Sequence, residues 1–289
     1  MGQCHRPFCL KEANLEKESS DDVAWSQRLA WATSNMQGFR ESMEDAHIAH
    51  HSLADLVDDP KSPWNDVAIF GVFDGHGGEQ VANFCEMYLP SMIAEGPRKD
   101  VGAALTTAFN QIDDMLEDPE YLADFNAQAP TKFGMFSTPD QVGSTAVVCC
   151  VDERVINTAN AGDSRAVICR NGKAVDLSKD HKPFLKTEYD RIVKAGGWVG
   201  DEERVNDDLA LSRALGDLEY KKNKDALPSE QIISGTPDIY THSRDAQDEF
   251  LIVACDGIWD AISSQNAVDF VRGALGNRAD VAERIRSGT

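Results

Sequence analysis

The sequence predicts an α+β fold, because helix-type and strand-type patterns are grouped along the chain rather than alternating one by one. Two helical patterns follow each other between residues 78 and 117, and four short strand patterns follow each other between residues 144 and 177. Two further apolar runs, 67–73 and 250–256, are typical of buried strands. With 289 residues and 42% apolar content, the chain is long enough to bury a sizeable core.

The helices are predicted from apolar residues that recur at i, i+3, i+4 and i+7. Residues 78–95 and 100–117 both follow this pattern, and the linker EGPRKD is short enough for the two helices to pack antiparallel. A third helix fits residues 186–195, where a Gly-Gly pair ends the pattern, and a fourth fits residues 264–275.

The strands are predicted from short segments rich in β-branched residues, at 144–152, 154–162, 165–170 and 173–177. Asn171-Gly172 between the last two is a strong signal for a β-hairpin. Asp163-Ser164 forms an equally short break between the second and third segments. We therefore expect these four strands to form one antiparallel meander.

The composition excludes several functional classes. The 49 acidic and 28 basic residues give a net charge of −21, which argues against nucleic acid as a partner. No apolar stretch approaches the roughly 20 residues of a membrane span. Seven cysteines, an odd number with no CxxC pair, indicate a reducing and therefore cytoplasmic location without a disulfide framework.

The sequence predicts a short N-terminal segment followed by one domain. Residues 1–22 are polar, include the run LEKESSDD, and are expected to form a flexible N-terminal segment. Residues 23–289 contain no repeat, low-complexity tract or long linker, which favours one domain.

Two of the apolar runs end in the same dipeptide, Asp74-Gly75 in the first and Asp256-Gly257 in the second. Two buried strands of this kind can bring two carboxylates to one rim of a sheet. Like charges at close range are unfavourable unless a cation lies between them. A glycine after each aspartate allows a sharp turn and a close approach of the backbone to an ion. The pattern therefore indicates a divalent cation site.

Further acids occupy similar positions: Asp163 at a strand break, Asp260 four residues after Asp256, and Glu44 with Asp45 in the segment FRESMED. Oxygen ligands without a Cys/His cluster suit Mg²⁺ or Mn²⁺ better than Zn²⁺. Two such ions can activate a water for in-line attack on phosphorus.

Each residue alone has an ordinary explanation. A strand-end aspartate is typical of a turn or cap, and Asp45 could equally well hydrogen-bond the backbone. A single His76 would usually be a surface or hydrogen-bonded histidine, and a single Arg40 would pair with a nearby acid. Together they favour metal-assisted phosphoester hydrolysis, in which Arg40 holds the phosphate and His76 protonates the leaving alkoxide.

At these residues the chain resembles the protein phosphatase 2C family of metal-dependent Ser/Thr protein phosphatases. The resemblance extends over about residues 33–272, and the family's motifs occur in order: RESMEDAH, FGVFDGHGG, GSTAVV, NAGDSRAV, DHKP, ALSRALGD and ACDGIWD. It implies an αββα sandwich, in which two antiparallel sheets lie between antiparallel helix pairs.

The resemblance also implies two Mn²⁺ or Mg²⁺ ions bridged by Asp74. Asp256 would bind the first ion, and the carbonyl of Gly75 would bind the second, with Glu44 nearby and acting through water.

The remaining site residues receive roles from the same resemblance. Arg40 would bind the substrate phosphate and His76 would be the general acid. Asp163 and Asp260 would form a weaker third ion site, and residues 180–205 would be a flap that borders the substrate cleft.

Three features depart from the family pattern. Asp207 stands where the family usually has glycine, close to the flap. The N-terminus MGQCHR resembles an acylation signal, although Arg6 stands where Ser or Thr is expected. Lipidation at Gly2 and Cys4 would give a weak membrane association. Finally, nothing in the sequence matches the family's last strand, which carries a further metal-binding aspartate, so we expect the domain to lack it.

The predicted function is hydrolysis of phosphoserine and phosphothreonine in proteins, with a water bridged between two metal ions. The expected partners are phosphorylated proteins, and the expected state is a monomer. The alternative, favoured by the unmatched last aspartate, is a catalytically weak regulatory module that binds phosphoproteins.

Overall fold

A computed structural model of the chain describes residues 9–24, 29–57, 62–127 and 138–276. Its strands are β1 (Cys9–Ala24), β2 (Leu29–Arg40), β3 (Asp45–His50), β4 (Ala68–His76), β5 (Gly143–Ser144), β6 (Ala146–Val151), β7 (Val155–Ala161), β8 (Arg165–Arg170), β9 (Lys173–Asp176), β10 (Leu215–Gly216), β11 (Asp238–Ser243) and β12 (Asp248–Ala254). Its α-helices are α1 (Gln80–Glu95), α2 (Val101–Glu117), α3 (Leu122–Ala127), α4 (Lys186–Lys194), α5 (Asp256–Trp259) and α6 (Ser264–Leu275).

The strands form two main antiparallel sheets. The first has the order β10-β5-β4-β6-β7-β11, with β3 also paired to β4, and the second has the order β12-β8-β9. Helices α1 and α2 pack on the outer face of the first sheet, and α6 packs on the outer face of the second. The layers therefore run helix, sheet, sheet, helix, and the predicted α+β class is confirmed.

The two adjacent cysteines of β6 show how one strand serves two cores. Cys150 belongs to the core between the first sheet and its helices. Cys149 belongs to the core between the two sheets. This is the period-two alternation of a strand that is covered on both faces, and it explains why β6 is apolar throughout.

The predicted meander is wrong, although all four of its strands exist. β6 and β7 pair in the first sheet, whereas β8 and β9 pair in the second. The chain crosses between the sheets at the Asp163-Ser164 break, after Gly162 with its φ of +118°. A two-residue gap between doubly buried strands gives no sign of which sheet each strand joins.

The N-terminal segment also differs from expectation. β1 pairs antiparallel with β2 from Cys9↔Arg40 to Ala24↔Leu29, so regular structure extends across the predicted boundary at residue 22. A polar segment can form a strand when a neighbouring strand supplies the hydrogen-bonding partners. The proposed lipidation sites Gly2 and Cys4 lie outside the described residues, as does everything after residue 276.

Among the described residues, none of the helices combines the length and the apolar character required to cross a membrane. Helix α3 was not predicted. Its single buried side chain, Phe125, joins the core formed by α1 and α2, which is too little for a periodic signal.

Candidate metal centre

The centre is built on the β3–β4 pair, where Asp45 lies directly opposite Asp74. Strand β4 does not end at Asp74, as the sequence suggested, but continues to His76 by pairing with β5. The backbone N–H of Thr145 donates to the carbonyl of Asp74 at 2.9 Å. Asp74 is therefore held inside a sheet, and its backbone cannot shift freely.

Asp256 reaches the same point from the second sheet. β12 ends at Ala254, and Asp256 opens the short helix α5. Its negative charge lies close enough to raise the pKa of the Asp74 carboxyl. The predicted meeting of the two carboxylates at one rim is therefore present in the structure.

A third acid and a thiol complete this cluster. The thiol of Cys255 donates to Oδ2 of Asp45 at 3.5 Å. Asp45, Asp74 and Cys255 each offer one potential ligand atom, and these three atoms lie within 4.8 Å of one another. The structure thus includes Asp45 in the cluster, where the sequence left its role open between a ligand and a backbone contact.

The electrostatics of the cluster call for a cation. Burial, followed by the negative charges of Asp45, Asp256 and Asp163, raises the pKa of Asp74 to about 9. Burial likewise raises the pKa of Asp45. At neutral pH, Asp74 would therefore retain a proton unless a cation replaced it.

The donor chemistry fits a hard ion. Carboxylate and carbonyl oxygens are the ligands that Mg²⁺ and Mn²⁺ prefer. Burial and the nearby carboxylates of Asp45 and Asp74 raise the pKa of the Cys255 thiol. The thiol therefore stays protonated in the metal-free chain, and the carboxylates beside it are the harder ligands.

Glu44 is brought to the centre through its backbone. The N–H of Gly75 donates to the carbonyl of Glu44 at 3.2 Å. A Cβ at Gly75 would lie 2.4 Å from that oxygen, so only glycine permits the contact. The hydroxyl of Ser42 donates to Oε1 of Glu44 at 2.6 Å, which restrains the carboxylate of Glu44.

Asp163 lies close to the cluster, but it already has a cationic partner. Lys182 donates from Nζ to Oδ2 of Asp163 at 2.6 Å. Burial raises the pKa of Asp163 despite this opposing positive charge. Lys182 also interacts electrostatically with Asp256 and Asp260, so a cation of the protein itself lies among the acids of the expected third ion site.

Asp260 and Arg40 lie at the exposed edge of the centre. The backbone N–H of Asp260 donates to the carbonyl of Asp256 at 2.8 Å, which places it one helical turn away. Arg40 is the last residue of β2, and its positive charge opposes the raised pKa of Asp45. An exposed guanidinium beside a carboxylate cluster is well placed to bind an anion that the acids would otherwise repel.

His76 has a partner that the sequence analysis missed. Its Nε2 lies 2.7 Å from Oδ2 of Asp217. Burial alone would lower the pKa of His76, but the charge and hydrogen bond of Asp217 outweigh it and raise that pKa. Asp217 belongs to the motif ALSRALGD, whose Gly-Asp ending resembles an ordinary turn, so no local signal identified it.

The expected flap, residues 180–205, is anchored by a buried charge network. Glu188 of α4 accepts from Arg213 at 2.7 Å and from the hydroxyl of Ser212 at 2.9 Å, and Arg191 of the same helix also pairs with it. Burial would raise the pKa of Glu188, but the arginines lower it to about 2. The network fixes α4 to the segment that precedes β10.

The structure accommodates Asp207, the residue that departs from the family pattern, in a left-handed conformation with φ of +61°. Its Oδ2 accepts the indole N–H of Trp198 at 3.0 Å. The turn therefore accommodates an aspartate, and the carboxylate of this aspartate contacts Trp198.

Comparison with known proteins is consistent with this geometry. The family model described as Protein phosphatase 2C matches residues 30–287. Protein phosphatase 2C homolog 2 of Schizosaccharomyces pombe is 44% identical over 267 residues, covering 91% of this chain and 66% of that protein. The protein of the same description in Hypocrea jecorina is 40% identical over 276 residues, covering 94% and 59%. The chain thus spans less than two thirds of the length of each of these relatives.

The fold has similar solved examples as well. A crystal structure of a phosphatase from a pathogenic strain of Toxoplasma gondii superposes with a TM-score of 0.66 at 22% identity, covering 96% of this chain and 88% of that one. At this level of identity the likeness supports the fold alone.

Proposed function

Since the chain belongs to the protein phosphatase 2C family, we propose that it hydrolyses phosphoserine and phosphothreonine in proteins with two Mn²⁺ or Mg²⁺ ions. The observation that carries the proposal is the carboxylate cluster around Asp74. Burial and three neighbouring acids raise the pKa of this carboxyl to about 9. A fold retains such a cluster at a cost in stability, which bound cations would offset.

Four residues would supply the groups that hold the two ions. Asp74 would contact both ions, Asp256 the first, and the Gly75 carbonyl the second, with Glu44 acting through water. When bound, the ions lower the pKa of a water and thereby supply the nucleophile. The sheet pairing of Asp74 and the Gly75–Glu44 contact hold these groups in place before any ion arrives.

The phosphoester would be held and protonated by side chains. Arg40 would bind phosphate oxygens from the exposed edge. His76 would donate a proton to the leaving oxygen of serine or threonine, which is a poor leaving group without one.

A third, weaker ion would bind at Asp163 and Asp260. Lys182 supports this location, because a cationic side chain already lies among the same acids. An ion entering there must displace Lys182, which lowers its affinity.

The test is hydrolysis of a phosphothreonine peptide by the full chain in Mn²⁺. We expect turnover that EDTA abolishes and that Asp74→Asn lowers by at least about 10³-fold, since a shared ligand supports both ions. Asp140→Asn is the matched control, because the Asp140 side chain is half-exposed and pairs with Lys222 at 3.3 Å. Activity that persists in EDTA or in Asp74→Asn would exclude the two-ion mechanism.

The same samples distinguish the alternative function. A regulatory module would bind the phosphopeptide at saturating Mn²⁺ without releasing phosphate. The enzyme would show binding and steady release together.

A further inference from the structure

We propose that Asp217 is a positioning residue for His76: it binds Nε2 of the imidazole and thereby leaves Nδ1 as the nitrogen that protonates the leaving oxygen. The inference rests on the proposed function, in which His76 is the general acid. It assigns that role to one nitrogen and identifies the group that orients the ring.

The contact between the two side chains is short and shielded. Nε2 of His76 and Oδ2 of Asp217 are 2.7 Å apart, and the Asp217 side chain is only 3% exposed. Water therefore competes poorly for this carboxylate, and a hydrogen bond in a shielded site restrains ring orientation more than an exposed one.

Two consecutive hydrogen bonds hold the backbone at Asp217. Its N–H donates to the carbonyl of Val142 at 2.9 Å, and the preceding N–H of Gly216 donates to Oδ1 of Asp113 at 2.8 Å. Asp217 itself has φ of +50°, a region that most side chains avoid and that aspartate tolerates. Strained backbone of this kind persists where the surroundings impose it, and it clusters at functional sites.

Gly143 leaves the space in which the pair meets. A Cβ at this residue would lie 2.3 Å from Oδ2 of Asp217 and 2.5 Å from Nε2 of His76. Gly143 pairs with His76 across the β4–β5 ladder. Any larger residue at this position would therefore push the carboxylate and the imidazole apart.

The contact with Asp217 determines which nitrogen of the His76 ring is available for the reaction. A carboxylate only accepts hydrogen bonds, so Nε2 carries the hydrogen that points at Asp217. Nδ1 of His76 is buried and has no hydrogen-bond partner within the described part of the chain. It is the nitrogen that remains for a reacting group, as in other histidines oriented by a carboxylate.

During hydrolysis, His76 gives one proton to the leaving oxygen. Water oxygen bonds to phosphorus while the bond from phosphorus to the serine or threonine oxygen breaks. The proton on Nδ1 of His76 moves to that departing oxygen, and His76 is left neutral with Nε2–H still donated to Asp217. A proton from the attacking water restores the imidazolium through solvent.

The first test compares two substrates with Asp217→Asn. The amide is similar in size but can donate to Nε2, which favours the opposite tautomer. We expect kcat on a phosphothreonine peptide to fall about 10²-fold. The fall on p-nitrophenyl phosphate should be no more than about threefold, because that leaving group needs little protonation. Equal losses on both substrates, or none, would overturn the proposal.

Three further variants separate positioning from structural damage. Gly143→Ala should reproduce the same substrate pattern, because it wedges into the pair from the opposite strand. Asp217→Asn combined with His76→Ala should be no slower than His76→Ala alone. Asp140→Asn, the same acid-to-amide change three residues before Gly143, should leave both rates unaltered. A double variant much slower than His76→Ala would overturn the proposal.

A measurement on the unaltered chain does not depend on how the variants fold. Nitrogen-15 NMR of the histidine rings, with His76→Ala identifying the signal, should show His76 as the Nε2–H tautomer when neutral. An Nδ1–H tautomer would overturn the proposal. If the unaltered chain hydrolyses neither substrate, the proposed function fails instead, and the tautomer still tests the placement of Asp217.

Discussion

At the scale of single residues, Asp74 shows how the site conflicts with stability. It belongs to a strand whose neighbours Ile69 and Phe73 are fully buried, and its carboxyl is surrounded by other acids. Without a cation, the folded chain must either protonate this group or tolerate a buried charge. Asp74, the proposed shared metal ligand, therefore lowers the stability of the metal-free protein.

This predicts that Asp74→Asn stabilises the metal-free chain. Burial and neighbouring acids raise the pKa of Asp74 from 3.8 to about 9, so between these values the folded state binds a proton that the unfolded state has released. Stability of the metal-free chain must then fall as pH rises through this window. Asparagine has no such penalty, and we expect a gain on the order of 2 kcal/mol at pH 8.

Urea unfolding of both chains in EDTA, at pH 5 and pH 8, measures this effect. The gain from Asp74→Asn should be larger at pH 8. A variant less stable than the unaltered chain at pH 8 would show that the cluster carries no such penalty.

Lys182 gives a second residue-scale prediction. It donates to Asp163 at 2.6 Å and occupies the surroundings of the proposed third ion. Lys182→Met keeps the aliphatic length but removes the competing charge, so the Mg²⁺ concentration for half-maximal turnover should fall about threefold to fivefold, the order expected for one lost ion pair. Metal titration of the rate measures it, and an unchanged or higher requirement would place the third ion elsewhere.

The sequence predicted the residues of the centre that follow an apolar run, such as Asp74 and Asp256, because the run itself marks the strand. It could not predict Asp217 or Lys182. Asp217 is 141 positions from His76 and Lys182 is 19 from Asp163, and neither follows a long apolar run. Their contacts form only when the flap and β10 come together with the rest of the first sheet.

At the scale of elements, helix α4 depends on one buried acid. Glu188 joins α4 to Arg213, and the arginines lower its pKa to about 2 against the opposing effect of burial. The stability it contributes is present above its ordinary pKa of 4.5 and is lost as pH falls toward 2.

Glu188→Gln should therefore destabilise the chain by about 3 kcal/mol at pH 7, because it leaves buried arginines without their counter-charge. The difference from the unaltered chain should shrink below pH 4. Thermal unfolding at both values measures it, with the exposed pair member Asp190→Asn, whose partner is Lys186, as the control. A difference that does not depend on pH would mean that packing, not charge, holds α4.

Substitutions of Asp207 test whether the backbone of the turn beside the flap is strained. Its φ of +61° lies in the left-handed region that glycine adopts freely and alanine avoids, and its carboxylate forms the Trp198 contact. Both Asp207→Gly and Asp207→Ala lose that contact, but only glycine relieves the backbone. We expect the glycine variant to be more stable than the alanine variant by about 1 kcal/mol. Equal stabilities would show that the backbone at this position is not strained.

The sequence predicted the helices correctly where the apolar periodicity was long, as in α1 and α2. It did not predict which strands pair with each other. The strands β6 to β9 were all recognised, yet their division between two sheets was not. Every one of them is apolar enough to be covered on at least one face, so hydrophobicity alone cannot assign partners. The pairing follows from the crossing at Gly162, whose positive φ of +118° is not visible in the sequence.

At the scale of the whole molecule, the layered architecture explains why the centre lies where it does. Asp74 comes from the first sheet and Asp256 from the chain that leaves the second. The acids meet at one rim because the two sheets pack face to face through a shared apolar core. Neither sheet alone would assemble the site.

The central claim is that this rim is a two-ion centre organised by Asp74. Calorimetric titration of the full chain with Mn²⁺, beside Asp74→Asn and the control Asp140→Asn, tests it most directly. The account predicts two tightly bound ions in the unaltered chain and in Asp140→Asn, and the loss of both in Asp74→Asn. Two ions bound with unchanged affinity by Asp74→Asn would contradict it.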